Sequence, residues 1–440
     1  MEISRPHAAP VALAETGRGL AASKPGASMH VLLFLIFAAL LIARRPDCLS
    51  HSQFWAEDGA RFFPEAMERN LWVNLSTYLF GYFDLLLRLT HQIATLFPVT
   101  QAPRVLVVFA ILIQASVPAF VVSDRCAELL GAFPIRLAAA LLYCAMPNSF
   151  EVHCIALHSR VHLAVLAALI LVAKPAVTLS GKTFDLTTLG VSALSGPFFA
   201  VLAPVAFWRY ARQRSPALRS HCVVLFATLP FGLFALLTSS SRRIVGQMGA
   251  SVQNGVRIIG GQFTTSFFLG EGSYAELLKK PWFDAVAWSA FVFLIVLLVV
   301  LLRFATPEIR YLLFIGFGLL AMAMSTPLAG FDRSHWDALW TVPGCGQRYY
   351  LPGMAMLLFG FTALVGRGRV RWLRGAGIGL LLVIAGMGAR VDFVLPPFTN
   401  YDYTRRAAAY RELPPGGVLV IPINPPSWNV ELRKPAASQR

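Results

Sequence analysis

Glu57 and Asp58 stand side by side in Phe54-Trp55-Ala56-Glu57-Asp58-Gly59. Adjacent carboxylates behind an aromatic pair suit two roles. Asp58 is a good N-cap for a helix beginning near Gly59, because the positive end of a helix favours an acid. A carboxylate partly withdrawn from water is also tuned to take a proton from a hydroxyl, as a general base does. The residues alone leave both roles open.

A second cluster is Gln347-Arg348-Tyr349-Tyr350-Leu351-Pro352, just before an apolar run. Arginine and tyrosine at the end of a span anchor it in the membrane interface. A guanidinium also matches the oxygens of a phosphate bidentately. Between residues 148 and 162, Glu151, His153, His158 and His162 accompany Arg160. His158 and His162 are spaced i, i+4 and share a helix face. Asp332, His335 and Asp337 form a looser group. Neither set has the spacing of a zinc or calcium site. No metal ligand is assigned, and a divalent metal stays open. Arg242 and Arg243 are placed in a loop as solvated charge.

No GxxxxGK[ST] loop occurs, and no dinucleotide fingerprint sits between a strand and a helix. The six cysteines are scattered with no CxxC pair, which argues for small buried apolar residues.

The elements that must position these residues are membrane helices. The chain is 56% hydrophobic and only 14% charged, against about 25% charged in soluble domains. Apolar runs recur, many of them approaching the roughly 20 residues that cross hydrocarbon. The net charge of +16 comes largely from arginines between these runs. The positive-inside rule accounts for that pattern and nucleic-acid binding does not. Residues 1–28 read as a disordered cytoplasmic tail and 29–43 as the first, retained span.

The stretch 44–103 is a long first outer loop. In it, residues 59–69 form an amphipathic helix with Ala60, Phe63, Ala66 and Met67 opposite Arg61, Glu65 and Glu68, suited to the membrane interface. Further apolar segments fall at 105–122, 135–147, 161–173, 220–238, 285–302, 311–324, 349–365 and 376–390. The run 186–208 has the length of a span, yet basic residues at both its ends favour the cytoplasm. Ser195-Gly196-Pro197 resolves the conflict, since Gly-Pro breaks a helix. The run becomes a broken hairpin, and its turn is expected to line a cavity inside the bundle. The whole is an all-α polytopic membrane protein of about ten spans plus this hairpin. Outside it remains a small C-terminal tail, 391–440, with a strand-like stretch at 416–423.

Taken together these features resemble the GT-C superfamily of membrane glycosyltransferases, which take sugar from a polyprenyl-phosphate carrier. Three motifs carry the resemblance over residues 29–390: Glu57-Asp58 in the first outer loop, the turn Leu194-Ser195-Gly196-Pro197, and Arg348-Tyr349 with Pro352 at the entry to a late span. The stretch from Phe54 to Gly59, with Gly81-Tyr82 and Leu87-Arg88, is similar to a bacterial subgroup with a WxEDG motif. Where relatives often carry a Lys-Gly-Pro-like turn, this chain has Ser195.

The resemblance implies a GT-C-like bundle in the bacterial inner membrane, with the active site facing the periplasm. Arg348, with Tyr349 beside it and Arg160 or Arg88 as helpers, would hold the donor phosphate. Asp58 would act as general base and Glu57 would assist it. The partners implied are a polyprenyl-phosphate sugar, membrane lipids and a glycan, lipid or protein acceptor. A transporter or lipid flippase of an envelope polysaccharide pathway is the alternative, because broken helices and buried charges also mark transporters. A non-catalytic envelope-assembly protein is a third.

Overall fold

The computed structural model describes residues 26–79, 81–239, 247–329, 333–368 and 370–436. Most of residues 1–28, together with Arg242, Arg243 and Asp332, lie outside the described residues. The chain is mostly helical, a multi-pass membrane protein. Seven of the described helices are long and apolar enough to cross a membrane: Ala27–Arg44, Val99–Val122, Pro216–Thr238, Phe283–Phe304, Pro307–Ser325, Gln347–Arg367 and Arg371–Asp392. Two of the expected spans form shorter helices, Phe133–Cys144 of 12 residues and Ala156–Val172 of 17. At 1.5 Å per residue the first reaches only about 18 Å, well short of the roughly 30 Å of hydrocarbon. Ala156–Val172 is buried along almost its whole length, and Gln347–Arg367 nearly as fully. These two helices form the centre of the bundle.

The long loops gather at one end of the bundle, and the short connections carrying Lys174, Arg212, Arg214, Arg303 and Arg371 lie at the other. Arg44 and Arg45 break this charge pattern, being wholly buried at the loop end. Arg44 donates to the carbonyls of Cys144 at 2.9 Å, Met146 at 3.1 Å, Asp392 at 2.9 Å and Phe393 at 3.0 Å. It thus ties the carboxyl ends of three helices together, where free carbonyls and the helix dipoles favour a cation. Arg45 lies 4.2 Å from the ring centres of both Phe150 and Phe398.

The expected hairpin is present as two 15-residue helices, Leu179–Ala193 and Phe199–Gln213. Its turn packs against the first loop. Ser195 is buried, accepts from the Leu86 amide at 2.9 Å and donates to the Val191 carbonyl, while the Leu85 amide donates to Leu194 O at 3.2 Å. The turn therefore docks on the amino end of the first-loop helix Leu85–Ala94. Each hairpin helix is about 22 Å long, so loop backbone meets the turn and uses the polar groups that the break exposes.

The first loop does not lie alone on the membrane. Residues 418–423 form the expected strand and pair antiparallel with Trp428–Arg433. Ile421, Ile423, Val430 and Leu432 on its inner face are buried with Phe54, Phe63 and Tyr403. The C-terminal tail and the first loop thus share one apolar core as a cap over the bundle. The amphipathic helix of 59–69 is also altered. A π-helical turn, Asp58–Phe62, precedes the α-helix Phe63–Glu68. It turns Phe62 inward beside Phe63 and Ala66 and leaves Ala60 exposed. Gly59 sits where a Cβ would come within 2.7 Å of both Ile423 Cδ1 and Phe54 Cβ. Gly59→Ala is expected to lower stability by about 1–3 kcal/mol through overpacking, seen as a lower thermal midpoint.

Candidate active site

The motif around Glu57 owes its shape to that cap. Phe54 fills the shared core, and Trp55 packs against Phe398 and Phe150 with ring centres 5.0 and 6.0 Å away. Ala56 takes a left-handed conformation at φ 45°, and its amide donates to the Asn424 carbonyl of the tail. A non-glycine residue in this region is strained and is held by its surroundings. The twist sends the two carboxylates that follow in different directions.

Asp58 turns inward and is buried. It makes no cap on its own helix. Instead its Oδ2 accepts from the Leu157 amide at 3.1 Å, in the first turn of Ala156–Val172. There the acid complements the helix dipole. Its Oδ1 lies 3.2 Å from His91 Nε2, near enough to attract but without hydrogen-bond alignment. His91 Nδ1 is 2.7 Å from the Leu87 carbonyl, so that nitrogen carries a proton. The hollow beside Asp58, bordered by Gln53, Trp55 and Phe398, has a volume of about 10 Å³, room for about one water. Asp58 was expected to meet the acceptor hydroxyl. In the structure it joins the first loop to the central helix.

Glu57 is engaged differently. It is half-buried, and no hydrogen bond or ion pair holds its carboxylate among the described residues. It lies close enough to Arg160 and Asp84 to act on both electrostatically. Arg160 donates to the Asp84 carboxylate, and its guanidinium stands 5.3 Å from the Tyr82 ring centre. Burial pushes the Asp84 carboxyl up to about 6, against the opposing pull of Arg160. Burial likewise raises the Tyr82 phenol, whose nearby charged and polar groups include Tyr349.

Tyr349 leads to the second arginine. Arg348, half-buried at the start of Gln347–Arg367, donates to the Glu151 carboxylate, to the Leu328 carbonyl and to the Tyr349 hydroxyl at 3.0 Å. Its guanidinium lies 4.5 Å from the Tyr349 ring centre. His158 sits among these groups, with its Nε2 3.7 Å from Glu151 Oε1 and with Arg348 and Arg160 both near it. His158 is 2% exposed, and neither ring nitrogen has a hydrogen-bond partner. Buried polar atoms are nearly always paired, and the imidazole of His158, set between two arginines, is an exception.

Of the expected site residues, Glu57, Arg160, Arg348 and Tyr349 converge. Arg88 does not. It is buried inside the first loop, donating to Glu65 Oε2 at 3.0 Å and Asn74 Oδ1 at 2.8 Å. Burial demands such partners for an arginine. Ser195, Gly196 and Pro197 also stand apart, in the docked turn. Tyr82, Asp84, Glu151 and His158 join the cluster without having been singled out for it. Glu151 and His158 were legible as neighbours of Arg160 in a polar stretch, and Tyr82 within the first-loop motif, but not as partners of one site.

No three His, Cys, Asp or Glu side chains converge as metal ligands among the described residues. Members of both candidate sets have other partners. His162 meets Tyr143 Oη at 2.7 Å and the Val152 carbonyl at 3.0 Å, and Asp337 accepts from Ser334, Asn254 and Trp340. The cluster holds two guanidiniums, each paired with a carboxylate, two tyrosines, the imidazole of His158 and the carboxylate of Glu57. No protein-family model matches the chain, and no curated protein matches it either.

Proposed function

We propose that the protein is a glycosyltransferase that moves a sugar from a polyprenyl-phosphate carrier to an acceptor hydroxyl. The observation that carries the reading is the convergence of Arg348, Arg160 and the orphan His158 beside the free carboxylate of Glu57. Transfer of a sugar off a phosphate needs a cationic hold on the departing group and a base for the attacking hydroxyl, and these residues supply both. The acceptor oxygen attacks the anomeric carbon from the face opposite the phosphate, giving inversion. The carbon–oxygen bond to phosphate breaks, and its electron pair stays on the phosphate oxygen. Arg348, Tyr349 and Arg160 stabilise that charge. The hydroxyl proton passes to Glu57.

The roles of the two acids are thereby exchanged relative to the sequence-based expectation. Glu57 is the base, and Asp58 is a positioning residue. The bundle is read as GT-C-like, the two shorter helices joining the seven long ones to make nine membrane-inserted segments, against about ten expected, with the hairpin beside them. The basic end lies in the cytoplasm of a bacterium and the cap faces the periplasm. A groove of about 1040 Å³, walled by Ala60, Pro64 and Glu68 on one side and by Trp428, Glu431 and Arg433 on the other, gives an envelope acceptor room on the cap.

The test is transfer from a panel of radiolabelled polyprenyl-phosphate sugars, by membranes holding wild type or Glu57→Gln. Transfer by wild type alone is expected. No transfer from any donor by well-expressed wild type would count against the enzyme and favour a transporter.

A further inference from the structure

Behind Arg348 lies a polar chain that the transfer reaction does not use. Gln347, fully buried, spends its whole carboxamide on it. Its Oε1 accepts from the Glu151 amide at 2.6 Å, and its Nε2 donates to Asn148 Oδ1 at 2.8 Å and to Glu271 Oε2 at 2.6 Å. Glu271 belongs to the second long loop. Its own amide donates to Asp392 Oδ2 at 2.8 Å, and the Asn148 amide donates to the same oxygen at 2.8 Å. The segment that carries Asn148 and Glu151, the arginine's partner, is therefore held by the Gln347 carboxamide, which also bonds Glu271 of the second long loop, and by Asp392 at the end of the last span.

We infer that Glu271, acting through Gln347, is a positioning residue for the Glu151–Arg348 pair, and that its proton tunes how readily Arg348 accepts a phosphate. The inference rests on the reading of Arg348 as a phosphate-binding group. Three carboxylates, Glu271, Asp392 and Glu151, crowd one small volume. The cations that face them are Arg44, Arg45 and Arg348; Arg257, on a neighbouring helix, is paired with Asp284 at 2.7 and 2.8 Å. Burial, with Asp392 adding to it, lifts the Glu271 carboxyl to about 7. Below that pH the group is neutral. Above it, a further negative charge stands behind Glu151, drawing on the Gln347 amide and opposing a phosphate at Arg348. Coupling between sites linked by such a network is commonly on the order of tenfold in affinity.

The experiment measures binding of undecaprenyl phosphate to the full chain in nanodiscs at pH 6 and pH 8, for wild type, Glu271→Gln and Gln347→Ala. The lipid's own ionisation changes alike for all three proteins, so the differences between proteins carry the result. Wild type is expected to lose on the order of tenfold more affinity over that interval than Glu271→Gln, which imitates the neutral acid. Gln347→Ala, with the bridge cut, is expected to follow the shallower profile. Thermal midpoints of the three proteins check that each is folded. Equal pH profiles for wild type and Glu271→Gln would overturn the inference and leave the phosphate site standing. Absence of binding by wild type at both pH values would overturn the phosphate site and this inference with it.

Discussion

Glu57→Gln is expected to cut sugar transfer by about 10²–10⁴-fold while leaving the thermal midpoint where it is. The carboxylate holds nothing in place among the described residues, so an isosteric amide removes a proton acceptor and no structural contact. Asp58→Asn is expected to behave in the opposite way. The amide keeps one acceptor for the Leu157 amide but offers His91 no charge. Leaving such buried groups poorly matched costs about 1–3 kcal/mol, so the midpoint falls, and activity is lost only as far as the central helix is displaced. The pair of variants separates a base from a positioning acid where a single substitution cannot. Transfer assays and thermal melts on the same preparations check it. Full transfer by Glu57→Gln, with transfer abolished in an Asp58→Asn protein of unchanged midpoint, would return the role of base to Asp58.

That pair also shows how far the sequence could be read. Adjacent carboxylates at a loop's start announced chemistry, but their directions depend on Ala56, and its left-handed turn is fixed by a contact with Asn424 from the far end of the chain. Nothing within the motif encodes that contact. Arg348 and Arg160 were legible because a cation beside an apolar run is costly and stands out. Their acidic partners were not, because Glu151 is 197 residues from Arg348 and Asp84 is 76 from Arg160. Arg88 looked the same as these two in sequence. Its partners, Glu65 and Asn74, come from its own loop, brought near by folding of the loop on itself. The turn at Ser195 was found from helix-breaking residues, a local property, whereas its docking on Leu86 is tertiary. Span lengths followed from hydropathy where runs were long. At Phe133–Cys144 and Ala156–Val172, polar turns set the helix ends, and the helices are shorter than a full crossing.

The second large effect is expected at Arg348, and the choice of substitution matters. Arg348→Ala would leave Glu151 partly buried without its cation, a change that destabilises by about 3–5 kcal/mol when a buried pair is broken. Loss of activity would then say little about phosphate. Arg348→Lys keeps a positive charge for Glu151 and gives up the planar fork that engages two oxygens at once. The Lys variant is expected to fold with a midpoint close to wild type and to lose about 10²–10³-fold in transfer, the usual cost of removing one preorganised donor from a developing oxyanion. Arg160→Lys removes the same kind of fork from the other side of His158. If both guanidiniums hold one phosphate, the double variant loses less than the product of the single losses, because the second substitution acts on a site already impaired. Independent, multiplying losses would place the two arginines at separate tasks. Wild-type kcat and KM in Arg348→Lys would remove this arginine from the reaction altogether, leaving it a structural partner of Glu151.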